Sequence, residues 1–132
     1  MRRLLAALCL ILPTPAFAEG LIDGVYMQSE ELCVRARAEG LETVAGDGNL
    51  VLSPGRIESV EYHCQFVDVK SAGDHGEIAT AWCEEPGFAF PDLLSITRRT
   101  ENTLEIASVR DQPELPSGNS GTWTKCEGVT RP

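Results

Sequence analysis

Apolar and polar positions alternate most clearly in the second half of the chain. Val60 to Lys70 and Glu77 to Glu84 are rich in valine, isoleucine, threonine and aromatic residues, types that suit a pleated, half-buried surface. Between them Ser71-Ala72-Gly73-Asp74-His75-Gly76 is dense in turn formers, so the stretch predicts a hairpin. A two-residue type II′ turn at Gly73-Asp74 sets Cys64 opposite Cys83 and Phe66 opposite Ala81 on one face. Gln65 then faces Trp82, Val67 faces Thr80 and Val69 faces Ile78 on the other. A longer loop with Gly76 at positive φ is the alternative, and a one-residue slip sends every side chain to the opposite face.

Leu93 to Arg98 and Thr103 to Val109 predict a second hairpin, with Leu94 and Ile96 on one arm and Leu104 and Ile106 on the other. Glu84-Glu85-Pro86-Gly87 separates the hairpins, and Phe88 to Pro91 follows it. Asp111 to Gly121 is the longest loop, Thr122 to Cys126 the last strand, and Glu127 to Pro132 a loose tail. Upstream, Leu21 to Met27 reads as a first strand. Ser29 then caps a helix over Glu30 to Glu39, which Gly40 ends, with Leu32 and Ala36 inward and Cys33 beside them. Thr43 to Asn49 reads as a loop, Leu50 to Ser53 as a strand, Pro54-Gly55 as its turn, and Arg56 to Ser59 as the return with Ile57 inward.

The class is therefore mainly β: about seven or eight short strands, one short N-terminal helix and no βαβ alternation. An antiparallel meander of that size hides its edges by closing into a barrel or folding into a sandwich, and the barrel makes the first and last strands neighbours. The pattern, one exported barrel domain with the glycine-aromatic first strand LIDGVYM, resembles in shape the calycin-type barrels and the small periplasmic lysozyme inhibitors. No motif of either matches residue by residue, so no functional position is carried over.

Two arginines, the apolar run Leu4 to Leu12 and the small-x-small ending Ala16-Phe17-Ala18 mark residues 1–18 as a secretory signal peptide, which makes 19–132 a single exported domain. Its apolar run is too short to span a bilayer, and Cys9 leaves with it. Four cysteines remain, and an even count in an exported chain implies two disulfides. Hairpin register pairs Cys64 with Cys83 and leaves Cys33 with Cys126, while Cys33 with Cys64 and Cys83 with Cys126 is the competing arrangement. Loss of Arg2 and Arg3 with the leader takes the net charge from −9 to −11, which repels nucleic acid and anionic membrane surfaces and attracts basic partners.

Catalytic constellations are missing. His63 and His75 are the only histidines, the cysteines are committed to bridges, and Glu84-Glu85 and Glu58 with Glu61 lie on strands where neighbours face opposite ways. No metal or other cofactor is expected, and no enzyme. The candidate site is the long loop, where Asp111 and Glu114, joined across the tail by Glu127, gather around Trp123 at the mouth of the last strand. The expected function is binding or inhibition of a basic protein such as a cationic hydrolase. A barrel that carries a small apolar ligand is the alternative, and an envelope protein with no ligand is a third.

Overall fold

A computed structural model describes residues 20–112, 114 and 118–131. The leader expected over residues 1–18 lies outside the described residues. Eight strands form a closed antiparallel barrel in chain order: β1 Tyr26–Met27, β2 Val51–Ser53, β3 Arg56–Glu58, β4 His63–Ser71, β5 Gly76–Glu85, β6 Phe88–Thr100, β7 Thr103–Ser108 and β8 Gly121–Lys125. Closure is made by β8 on β1, where Tyr26 faces Lys125 and Met27 faces Thr124. The result is a barrel, not a sandwich.

Period-two alternation builds the interior. In β5, Glu77, Ala79, Ala81 and Cys83 are buried while Ile78, Thr80, Trp82 and Glu84 face out. Tyr26, Leu52, Ile57, Leu94, Ile96, Leu104, Ile106 and Trp123 fill the axis at 0–1% exposure. Eight strands enclose a space just wide enough for side chains to fill it.

Both expected disulfides are present, Cys33–Cys126 and Cys64–Cys83. The hairpin reaches the expected register by an unexpected route. Cys64 faces Cys83, Gln65 faces Trp82 and Phe66 faces Ala81, but beyond a bulge between Phe66 and Asp68 the pairing shifts, so Asp68 faces Thr80 and Lys70 faces Ile78. Ala72 N donates to Gly76 O at 2.8 Å, so Gly73-Asp74-His75 is the loop, one residue longer than expected. Gly73 still supplies the positive φ, at 105°. The bulge takes up the extra residue, which keeps the cysteines face to face.

Helix α1 (Glu30–Glu39) is bounded as expected: Ser29 accepts from Leu32 N, and Gly40 at φ 95° donates to Ala36 O. The loop expected over Thr43 to Asn49 is instead mostly a second helix, α2 (Leu41–Gly46), because Val44 is wholly buried beneath it. Together the helices cover the outer face of β1 and β2, where Val25, Met27, Cys33, Ala36, Val44, Val51 and Cys126 form a second core. The tail expected to be loose packs there through Val129, and Arg131 pairs with Glu58 of β3.

The expected strand from Leu21 shrinks to two residues. Leu21 N donates to Glu77 Oε1 at 2.7 Å and Arg98 Nη2 donates to Leu21 O at 2.6 Å, so side chains use up the backbone groups a strand would have paired. Leu21 and Ile22 are thereby buried across one end of the barrel, the end that carries the β4–β5 and β6–β7 turns. This is the turn end.

Strand β6 unites two stretches read as separate. Pro91 sits within it opposite Trp82. Leu93 O accepts from Val109 N at 3.0 Å, so Pro91, two residues earlier, turns its missing donor toward the same side, beyond the last pairing with β7 at Leu94 and Ser108. A proline is tolerated in a strand where no ladder bond is lost.

Candidate functional site at the loop end of the barrel

Opposite the turn end, four segments converge: the β3–β4 connection, the β5–β6 hairpin tip, the stretch after Ser108, and Asn119 before β8. Alternation along β6 turns Asp92 inward between Phe90 and Leu94, where it is 3% exposed. Its carboxylate is held by neutral donors. Ser108 Oγ lies 2.7 Å from each oxygen, Leu93 N donates to Oδ1 at 2.8 Å, and Asn119 Nδ2 donates to Oδ2 at 3.2 Å. Asn119 Nδ2 also donates to the Tyr62 hydroxyl at 2.8 Å. That hydroxyl stands 3.0 Å from Cys64 Sγ, and because a disulfide sulfur carries no proton, the tyrosine is the donor. Trp123 Nε1 completes the set by donating to Asn119 O at 3.0 Å. The network links Asp92, Ser108, Asn119, Tyr62 and Trp123 into a stopper across this end.

Two tyrosines report on the two ends. Tyr62 is pushed up to about 12, first by burial and then by the carboxylates of Asp92 and Glu85, against the bond from Asn119. Tyr26, whose hydroxyl donates to Asp23 Oδ1 at 2.5 Å, is pushed up to about 12 by burial and by Asp23. Asp23 itself is held below the usual carboxylate range by that bond and by Lys125, although burial opposes them. A folded value above the unfolded one means that stability is present below about pH 10 and is lost as pH rises toward 12. Since the chain has only these two tyrosines, native protein titrated at 295 nm should show no phenolate absorbance until pH approaches 12, while protein in denaturant shows it near 10. A native transition near pH 10 would mean that an end of the barrel is open.

Around the stopper the rim is acidic and aromatic. Phe88 and Phe90 have ring centroids 5.4 Å apart, and the Arg110 guanidinium lies 4.2 Å above Phe90. Val60, Glu61 and His63 face Glu84, Glu85 and Pro86 across an open cleft of about 330 Å³. Trp82, on the outer wall, donates from Nε1 to Glu84 Oε1 at 3.2 Å.

Of the expected site residues, Asp111 follows β7 at this end, its N donating to Ser108 O at 3.2 Å, and Glu114 is exposed. Residues 113 and 115–117 of the expected loop lie outside the described residues. Trp123 is not at the mouth as a contact surface; it is 0% exposed in the core. Glu127 is not with them either, because it follows the far end of β8, and five extended residues span about 15 Å. Glu61, Glu84 and Glu85 stand in their place. The sequence pattern marks these as ordinary exposed acids, and it is the β4–β5 pairing, with His63 opposite Glu84, that brings Glu61 beside Glu84 and Glu85.

Elsewhere, Glu58 gathers Arg131, Arg56 at 3.8 Å and His63 at 3.7 Å on the outer wall. Burial and the neighbouring Arg56 hold Arg131 below its usual value. Among the described residues no three His, Cys, Asp or Glu side chains converge as a metal-binding group. No family model matches the chain, and no curated protein or solved structure matches it.

Proposed function

We propose that this chain is an exported, non-catalytic binding protein whose acidic loop end engages a basic protein, such as a cationic hydrolase. The observation that carries the reading is that the barrel is filled along its axis and stoppered at both ends, which leaves its outer surface as the place to act. On that surface Glu61, Glu84 and Glu85 line one open cleft, on a chain of net charge −9. Exposed charges of one sign steer an oppositely charged partner and set its salt dependence. The same filled axis counts against a carrier of apolar ligands, which needs an enclosed space. Export is supported by the leader-like residues 1–18 and by two disulfides, which persist in oxidising compartments. Among the described residues no helix is long and apolar enough to cross a membrane.

Calorimetry against a cationic lysozyme at low and at physiological salt tests the reading. Binding should weaken as salt rises. The combined variant Glu84→Gln, Glu85→Gln and Glu114→Gln should bind more weakly with a flatter salt slope. Its thermal midpoint should stay where it is, since exposed carboxylates contribute little to stability. Absence of binding by the unaltered protein at both salts would sink the proposal.

A further inference from the structure

We propose that the outer face of β5, β6 and β7 is the surface on which that basic partner docks, with Trp82 as its anchor; this rests on the binding reading above. Register builds the face. Trp82 lies opposite Pro91, Thr80 opposite Leu93, and Ile78 opposite Ser95, which in turn faces Ala107. The bond from Val109 N to Leu93 O brings Val109 alongside Leu93. Ile78 is 46% exposed, Trp82 46%, Leu93 40% and Val109 68%. On a closed barrel these outward positions meet water, and the same alternation that buries Ala79, Ala81 and Leu94 would place polar groups here if solvation were the only demand.

The other side of the barrel shows what the fold does with an outward apolar face. Met27 and Val51 point outward from β1 and β2, and α1, α2 and the tail cover them to 0% and 1% exposure. No described element covers β5 to β7. A largely apolar row left bare, with a tryptophan at its loop end, has the composition of an interface centre, where aromatic residues are enriched.

Charge selects the occupant. The edges of the row carry Asp68 opposite Thr80, Glu84 bonded to the Trp82 indole, and Glu105 opposite Thr97, beside the cations Lys70 opposite Ile78, Arg99 of β6 and Arg110 next to Val109, so the excess that decides is that of the whole chain. A second copy of this chain would bring another −9 against these carboxylates, whereas a basic protein brings the complement. Glu84 joins the face to the acidic rim, so one partner can touch both.

The test uses the full chain with a cationic lysozyme as the probe, in calorimetry at low salt, with Trp82→Ala, Leu93→Lys and the control Val34→Ser. Val34 is also exposed and apolar but lies on α1, across the barrel. Trp82→Ala and Leu93→Lys should each weaken binding by at least about tenfold, as expected for an interface centre, while Val34→Ser binds as the unaltered protein does. Both positions are surface sites, so thermal melts verify that the variants are folded, and Trp82→Phe, which keeps an aromatic ring, should recover part of the affinity. If the unaltered protein binds and neither substitution weakens it, the face is wrong while the basic-partner reading stands. If the unaltered protein does not bind, both fall. Sedimentation that shows self-association of the unaltered chain, abolished by Leu93→Lys, would make the occupant a second copy and overturn the proposal.

Discussion

Replacing Trp123 with alanine should lower the unfolding free energy by about 3–5 kcal/mol, the range for emptying a large aromatic site in a packed core. The indole is 0% exposed on β8, directly opposite Leu104, and it shares the axis with Tyr26, Ile57 and Ile106. Its loss leaves a cavity where strands from opposite sides of the barrel meet. It also removes the donor to Asn119 O, the bond that ties the loop-end stopper to the core. Domains of this kind have roughly 5–15 kcal/mol in all, so the change takes a large share of the total. Urea denaturation should show the midpoint fall with little change in slope, and Trp123→Phe should recover much of the loss. An unmoved midpoint would mean that the indole carries no packing. Because the ring is buried, the fraction that stays folded should bind a cationic lysozyme with unaltered affinity, which separates this tryptophan from Trp82.

Removal of the Cys33–Cys126 bridge, as Cys33→Ala with Cys126→Ala, should cost about 4–5 kcal/mol on the chain-entropy account, against about 3 for Cys64→Ala with Cys83→Ala. The first bridge spans a sequence separation of 93 and the second one of 19, and a longer closed loop restricts the unfolded chain more. The native state adds a reason. β1 has only two residues, so barrel closure depends on a short ladder beside the bridge, where Cys126 N also donates to Val25 O at 2.8 Å. Amide exchange in β1 and α1 should therefore rise most in the first variant, and its melting temperature should be the lower of the two. Cys64 and Cys83 are buried inside the barrel, and their truncation opens a small cavity. If that variant proves the weaker, packing outweighs chain entropy here and the expected order is wrong.

Legibility followed range along the chain. Helix α1 was readable to its ends because Ser29 and Gly40 act on their own first and last turns. Leu94, Ile96, Leu104 and Ile106 were readable as core because a tight turn and a period of two place them on one face, and all are at most 1% exposed. The cysteine opposition was readable, but the bulge near Val67 was not, since it responds to how β4 must bend around the axis. Trp123 was misplaced because a loop and a strand beside it say nothing of which way an odd-numbered residue faces once the barrel closes.

By itself, then, the amino-acid order determined what depends on neighbours: the strands and their alternation, the first helix, the hairpin pairing that seats Cys64 opposite Cys83, and the excess of negative charge. Only the tertiary structure decided that Leu21 and Ile22 stop one end, that Asp92, Ser108, Asn119 and Tyr62 stop the other, and that the helices cover β1 and β2 but leave β5 to β7 bare. Those outcomes rest on contacts between residues as far apart as Leu21 and Arg98 or Tyr62 and Asn119. A period or a turn acts within a few residues, whereas closure of the barrel chooses among all pairs at once, and the free energy of filling one shared interior makes that choice.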